Sequence, residues 1–188
     1  MLSADDPLPY PPRRVVIAGT TGVGKSTLAR RLAELWDLEY TELDSLFHGP
    51  GWTTRPEFVD DVRRVAGGER WVSEWNYFSS GGGQILGERA DLAVWLDFPR
   101  RIARARLLRR TLSRRIRRQV LWNGNVEPPL WTVLRDPDHI LRWEMRTHAT
   151  WKRRMPVVAA EYGLPVVRLT HPRAVERWLA GAAADVVG

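Results

Sequence analysis

A chain of 188 residues with 44% hydrophobic side chains can build one α/β domain with a large core and leaves little room for a second domain. The absence of cysteine excludes a disulfide scaffold, a thiolate metal cluster and thiol redox chemistry, and suits a cytoplasmic protein. The net charge of +7 is lopsided: residues 1–99 carry 10 basic and 15 acidic side chains, whereas residues 100–188 carry 19 and 7.

The first twelve residues, with Asp5, Asp6 and several prolines, lack the basic start and apolar run of a signal peptide and are expected to form a poorly packed leader. No run of eighteen apolar residues occurs, so no membrane span is expected. Arg13 to Ala18 reads as a short buried strand closed by Gly19, and Lys25 to Trp36 as a helix with Leu28, Leu32 and Leu35 on one side. A second strand is predicted from Glu39 to Leu43, ending at Asp44. The helix predicted from Pro56 to Ala66 starts on proline, carries Glu57 in its first turn and is stopped by Gly67 and Gly68.

Trp71 to Trp75 and Asp91 to Asp97 read as third and fourth strands, the latter apolar through most of its length, as expected of a strand covered on both faces. From Pro99 a long helix is predicted to about Val120, followed by a polar loop from Asn123 to Pro129. A further helix is predicted from Asp138 to Glu161, interrupted near Pro156, then a strand from Pro165 to Leu169 and a helix from Pro172 to Leu179. Five strands alternating with helices imply one parallel sheet between helical layers, and the whole chain reads as a single domain. The helices around the polar loop suggest a lid at about residues 106–146.

Gly19, Thr20, Thr21, Gly22, Val23, Gly24, Lys25 and Ser26 match G-x-x-x-x-G-K-[ST] between a strand and a helix. Glycines let backbone N–H groups converge on phosphate oxygens, and the helix adds the positive end of its dipole. Lys25 supplies a point charge for the β and γ phosphates, and the Ser26 hydroxyl can ligate Mg2+. Thr27 is a weaker candidate for a second hydroxyl near phosphate. The loop therefore calls for ATP and Mg2+ but does not choose between kinase, ATPase and GTPase.

Asp44 and Glu74 fall at the carboxyl ends of predicted strands, where ligands of parallel sheets collect, and either could orient an acceptor, act as a base or hold a magnesium-bound water. Ten arginines without an acid lie between Arg100 and Arg118. Their natural partners are phosphates, of a nucleotide or of a nucleic acid. Trp52, Trp75, Trp122 and Trp131 are read as core or hinge residues in preference to base-stacking platforms. His48 and His139 have no metal-ligand spacing.

The segments GTTGVGKSTLARRLAELW, LDSLFHGPGW, WVSEWNY, RADLAVWLDFPR and RRTLSRRIRRQVLWNGNVE together resemble the bacterial adenylate-kinase-related P-loop proteins labelled topology modulation proteins. The resemblance spans roughly Val15 to Leu169. It implies the nucleoside-monophosphate-kinase-like fold, with strand order 2-3-1-4-5 and a short helical lid, and places Asp44 toward the acceptor. On the helix after Asp-x-Pro it implies Arg106 on the ATP base, Arg110 on phosphate and Arg114 approaching the lid. Where the related proteins carry Asp-Gly, this chain has Glu74-Trp75, and the tryptophan is expected to narrow the acceptor site or alter magnesium coordination. Arg55 stands where it could receive an anionic acceptor.

The expected activity is transfer of the ATP γ-phosphoryl group to a small acceptor, a nucleotide or another metabolite, with Lys25, Asp44, Glu74, Arg110 and Arg114 as catalytic candidates. The alternative is a nucleic-acid-associated ATPase or regulatory ATP-binding protein, with the arginine helix on backbone phosphates.

Overall fold

The computed structural model describes residues 1–117, 119–125 and 150–186. Its elements in chain order are β1 (Arg14–Gly19), α1 (Lys25–Trp36), β2 (Glu39–Thr41), α2 (Leu43–Phe47) and α3 (Phe58–Ala66), then β3 (Trp71–Glu74), α4 (Gly82–Arg89), β4 (Leu92–Leu96) and α5 (Arg100–Ile116). After residue 149 come α6 (Thr150–Glu161), β5 (Val166–Leu169) and α7 (Pro172–Ala180). The strands form one parallel sheet in the order β2-β3-β1-β4-β5.

Alternation along the strands sorts the core into two layers. Val15 and Ile17 face one side with Val72, Leu92 and Val94, where α1 contributes Leu28 and Leu32 and α7 contributes Val175 and Trp178. Val16 and Ala18 face the other with Trp71, Ala93 and Trp95, under Phe58 and Val62 of α3, Leu86 of α4 and Met155 of α6. Val15 to Ala18 are fully buried, as the centre of a sheet covered on both faces requires.

The structure corrects several sequence expectations. The leader packs: Leu2 N–H donates to the Val166 carbonyl and the Leu2 carbonyl accepts from Arg168, while Ala4 and Leu8 are buried. The open edge of β5 offers unpaired backbone groups, and a short extended stretch satisfies them. The second strand stops at Thr41 because Leu43, Leu46 and Phe47 have helical spacing, so Asp44 lies in the first turn of α2. The helix predicted from Pro56 begins at Phe58, and α5 ends at Ile116, short of Val120. Helix α6 continues through Pro156.

Helix α4 has no counterpart in the predicted elements, since a run of glycines argues against helix by propensity. Packing explains it: a Cβ at Gly83 would stand 2.6 Å from the Phe78 ring, so only glycine lets the helix approach. The second half of the expected lid, residues 126–146, lies outside the described residues, as do Trp131 and His139. Among the described residues no helix is long and apolar enough to cross a membrane.

Candidate functional site

The carboxyl edge of the sheet gathers four segments: the loop after β1, α2 after β2, the end of β3, and α5 after β4. The loop after β1 turns through left-handed backbone at Gly22 (φ 80°) and Gly24 (φ 111°), and α1 starts at Lys25. Gly22 is also a packing position. A Cβ there would lie 2.6 Å from Cβ of Leu107 on α5, so its absence lets α5 sit against the loop. Gly22→Ala is expected to cost about 1–3 kcal/mol of stability, combining positive φ with overpacking, and to weaken ATP binding. Urea unfolding and ATP titration of the same preparation would check both.

Lys25 is half-buried, and its Nζ donates to the Gly19 carbonyl at 3.0 Å and the Thr20 carbonyl at 3.3 Å. Desolvation pushes its pKa down; Glu74 and Asp44 oppose that, and Arg110 adds to it. Both carboxylates and one α5 arginine are thus near enough to the loop lysine to bear on its charge. Thr20 is buried, whereas Thr27 lies exposed on the first turn of α1.

Glu74, in register with Ile17 beside β1, is only 4% exposed. Its Oε1 accepts from the Tyr40 hydroxyl at 2.8 Å and its Oε2 from Leu43 N–H at 3.4 Å. Burial raises its pKa, while hydrogen bonding from Ser26 and Tyr40 works the other way. Ser26 and Glu74 therefore lie side by side. A hydroxyl beside a carboxylate is a hard oxygen set, which fits Mg2+ held largely by substrate phosphates and water. Among the described residues no group of three or more acidic, His or Cys side chains could hold an ion by itself.

Asp44 Oδ1 accepts from the Tyr77 hydroxyl at 2.5 Å, and that hydroxyl oxygen lies 3.3 Å from His48 Nε2. The Tyr77 ring stacks on Phe47, with centroids 4.2 Å apart, and meets Phe58 edge-on at 5.2 Å. His48 in turn stacks on Trp122 at 5.9 Å, and Trp52 stands edge-on to both. Asn125, 5% exposed, ties this corner together by donating to the Gly49 and Trp122 carbonyls and accepting from Trp52 N–H. Trp52 and Trp122 thus stand together at the mouth.

Burial lowers the His48 pKa from 6.5, with Asp44 partly opposing. The sign follows: below about pH 6.5 the unfolded chain takes up a proton that folded His48 resists, so the stability this residue contributes is lost as pH falls through its folded pKa. His48→Phe, which keeps a ring in the stack, is expected to flatten the loss of stability between neutral pH and about two units lower. Urea midpoints across that range would measure it.

On α5, Arg106 is exposed at the rim, donates from Nη1 to the Val23 carbonyl at 2.9 Å and lies over the Phe98 ring at 5.4 Å. Arg110 is near enough to Lys25 to disfavour its proton. Arg114, one turn on, lies over the Trp122 ring at 5.8 Å. The three arginines at four-residue spacing thus face, in order, the phosphate loop, the loop lysine and the acceptor-side aromatic corner.

Two expectations about the acceptor side change. Trp75 does not narrow the site: it is fully buried among Phe78, Trp151 and Tyr162, with Nε1 donating to the Gly83 carbonyl. Arg55 is already committed, to Asp61 at 3.1 Å, Glu57 at 3.9 Å and the Leu46 carbonyl. Tyr40, Tyr77 and Asn125 had no role in the sequence reading. Tyr77 stood in a quoted motif, but its link to Asp44 joins residues 33 apart through the fold.

Sheet order, parallel strands and phosphate loop define a P-loop protein with the nucleoside-monophosphate-kinase-like fold. Among solved structures the chain is similar to a gluconokinase from Sinorhizobium meliloti 1021, with 19% identity, 95% of each chain covered and a TM-score of 0.53. It is also similar to a shikimate kinase from Acinetobacter baumannii in complex with shikimate, with 19% identity, 93% of this chain and 88% of that one covered, and a TM-score of 0.49. No protein-family model matches the chain, and neither does any curated protein.

Proposed function

We propose that this protein is an ATP-dependent kinase acting on a small metabolite. The observation that carries the reading is that the phosphate loop, with Lys25 bonded to its Gly19 and Thr20 carbonyls, lies at the same sheet edge as Glu74 and the Tyr77-held Asp44, both near enough to bear on the lysine's charge. ATP would occupy the Gly19 to Ser26 loop, with Ser26 and Glu74 on the side of Mg2+, which supplies charge neutralisation at the phosphates.

Lys25 would exchange its bonds to the Gly19 and Thr20 carbonyls for phosphate oxygens, and Arg110 would join it as charge moves onto the transferring group. Arg106 would bear on the nucleotide end and Arg114 on the acceptor side. Asp44 would orient the acceptor. The likeness to a gluconokinase supports the fold that such chemistry uses, and the quoted motifs support a relationship to the topology modulation proteins.

Incubation with γ-labelled ATP, Mg2+ and a panel of nucleosides, nucleotides and small metabolites tests the reading. Label is expected in an organic product; release of inorganic phosphate alone with every acceptor would overturn it. A nucleic-acid-associated ATPase is the second reading, favoured by Arg101, Arg104, Arg109 and Arg115, all exposed on α5. It predicts duplex binding that weakens steeply with salt and survives ATP, together with no transfer to small acceptors.

A further inference from the structure

We infer that the acceptor is an alcohol, whose hydroxyl meets Oδ2 of Asp44 while Tyr77 fixes the other oxygen, and that Tyr77 is a positioning residue for this carboxylate. The inference rests on the kinase reading and narrows its acceptor from any small metabolite to one chemical class.

Several observations converge on it. Tyr77 has φ 56° and ψ 40°, a left-handed conformation that a bulky residue keeps only where its surroundings hold it. What holds it is the stack on Phe47, the edge contact with Phe58 and the short bond to Asp44 Oδ1. The strained backbone therefore serves to deliver one hydroxyl to one carboxylate oxygen. No described residue donates to Asp44 Oδ2, so the other oxygen is left for a ligand.

The polarity of the relay is fixed by hydrogen-bond accounting. Tyr77 must donate to a carboxylate, so its oxygen accepts from His48 Nε2–H. His48 Nδ1 is buried without a partner among the described residues, which suits the tautomer with its proton on Nε2. Burial and the Asp44 charge both hold the Tyr77 hydroxyl in its protonated form. Tyr77 thus orients Asp44 as a neutral donor, and among the described residues the Tyr77–His48 pair adds no positive charge beside it.

That absence decides between acceptor classes. A phosphate nucleophile carries up to two negative charges and would arrive beside Asp44 and the buried Glu74. Its natural receptor, Arg55, is taken up by Asp61, Glu57 and the Leu46 carbonyl, and Arg114 sits over the Trp122 ring. Among the described residues no cation pairs with Asp44, so a like-charged acceptor is disfavoured beside it, whereas a neutral hydroxyl donates to Asp44 and is welcome there.

In the step this implies, the acceptor oxygen forms a bond to the γ-phosphorus. The bond from that phosphorus to the β,γ-bridging oxygen breaks, ADP leaves with the electron pair, and the hydroxyl proton passes to Asp44 Oδ2 and then to water. The products are a phosphomonoester, ADP and a proton.

The test uses the whole chain with Mg2+, ATP and two acceptor panels, phosphate-free alcohols (sugars, sugar acids, cyclic polyols and nucleosides) and nucleoside monophosphates, with products read by 31P NMR. A phosphomonoester, whose phosphorus shows no coupling to another phosphorus, is the expected product. A phosphoanhydride with phosphorus–phosphorus coupling would overturn the acceptor class while leaving the kinase reading standing. Hydrolysis alone with both panels would remove the kinase reading and this inference with it. With the alcohol identified, Tyr77→Phe, which keeps the ring stack, is expected to lower kcat at least about tenfold with the KM for ATP within about twofold. Unchanged kcat in a folded Tyr77→Phe protein would remove its positioning role, and the product class, read on the unmodified chain, tests the alcohol assignment regardless of how the variant folds.

Discussion

Asp44→Asn is expected to retain ATP affinity within about threefold and to lose at least about a hundredfold in phosphoryl transfer, a barrier increase of about 2.7 kcal/mol. Asparagine keeps the shape of the side chain and an oxygen that can still accept from Tyr77, so the corner of Phe47, His48 and Tyr77 remains assembled. What it loses is the charge and the ability to take a proton from the acceptor. An interaction of that kind is expressed mostly in the transition state, so it appears in kcat more than in binding.

Asp44→Ala separates the two parts of the role. It also leaves the partly buried Tyr77 hydroxyl without its acceptor, which costs about 1–3 kcal/mol of stability on top of the same kinetic loss. Asparagine near wild-type stability with alanine clearly lower, both inactive in transfer, is the expected pattern. Wild-type transfer by a folded Asp44→Asn protein would take Asp44 out of the mechanism.

How much of this site could be read from residues alone depends on whether the contacts are local. The phosphate loop was legible because its eight residues carry their own geometry: glycines for left-handed turns, then a lysine and a serine at the start of a helix. The sheet order was reached through resemblance, and burial on both faces of β1 and β4 could be read from their continuous apolar runs. Asp44 and Glu74 were legible as acids near strand ends. Their partners were not, because Tyr40 meets Glu74 across 34 positions and Tyr77 meets Asp44 across 33.

Other features were hidden because one residue type serves two purposes. The glycines of α4 lower helix propensity, yet they are what allow that helix to pack on Phe78. Arg55 looked available because its neighbours in sequence give no hint that Asp61, a turn along α3, would claim it at 3.1 Å. Trp75 looked intrusive beside Glu74, but alternation at the end of β3 sends the two side chains to opposite sides, one to the loop lysine and one to the core.

Arg110→Ala is expected to be the most damaging of the three α5 arginine changes, costing roughly 2–4 kcal/mol of transition-state stabilisation. The reason lies in its relation to Lys25. Arg110 works against the charge of Lys25 at the same loop, where desolvation already disfavours the lysine proton. An arriving triphosphate relieves that strain, and charge spreading over the transferring group needs both cations most at the midpoint of transfer. Arg106→Ala, by contrast, removes a side chain that lies at the rim over Phe98 and bonds the Val23 carbonyl, so it should weaken ATP binding more than it slows transfer. Arg110→Lys restores the charge without the planar two-pronged donor and is expected to recover only part of the loss. ATP Kd and kcat measured side by side for Arg106→Ala, Arg110→Ala and Arg110→Lys would separate these roles. Near-wild-type kcat for a folded Arg110→Ala protein would sink the assignment, and so would full recovery with lysine, because a flexible point charge would then suffice where a fixed fork is required.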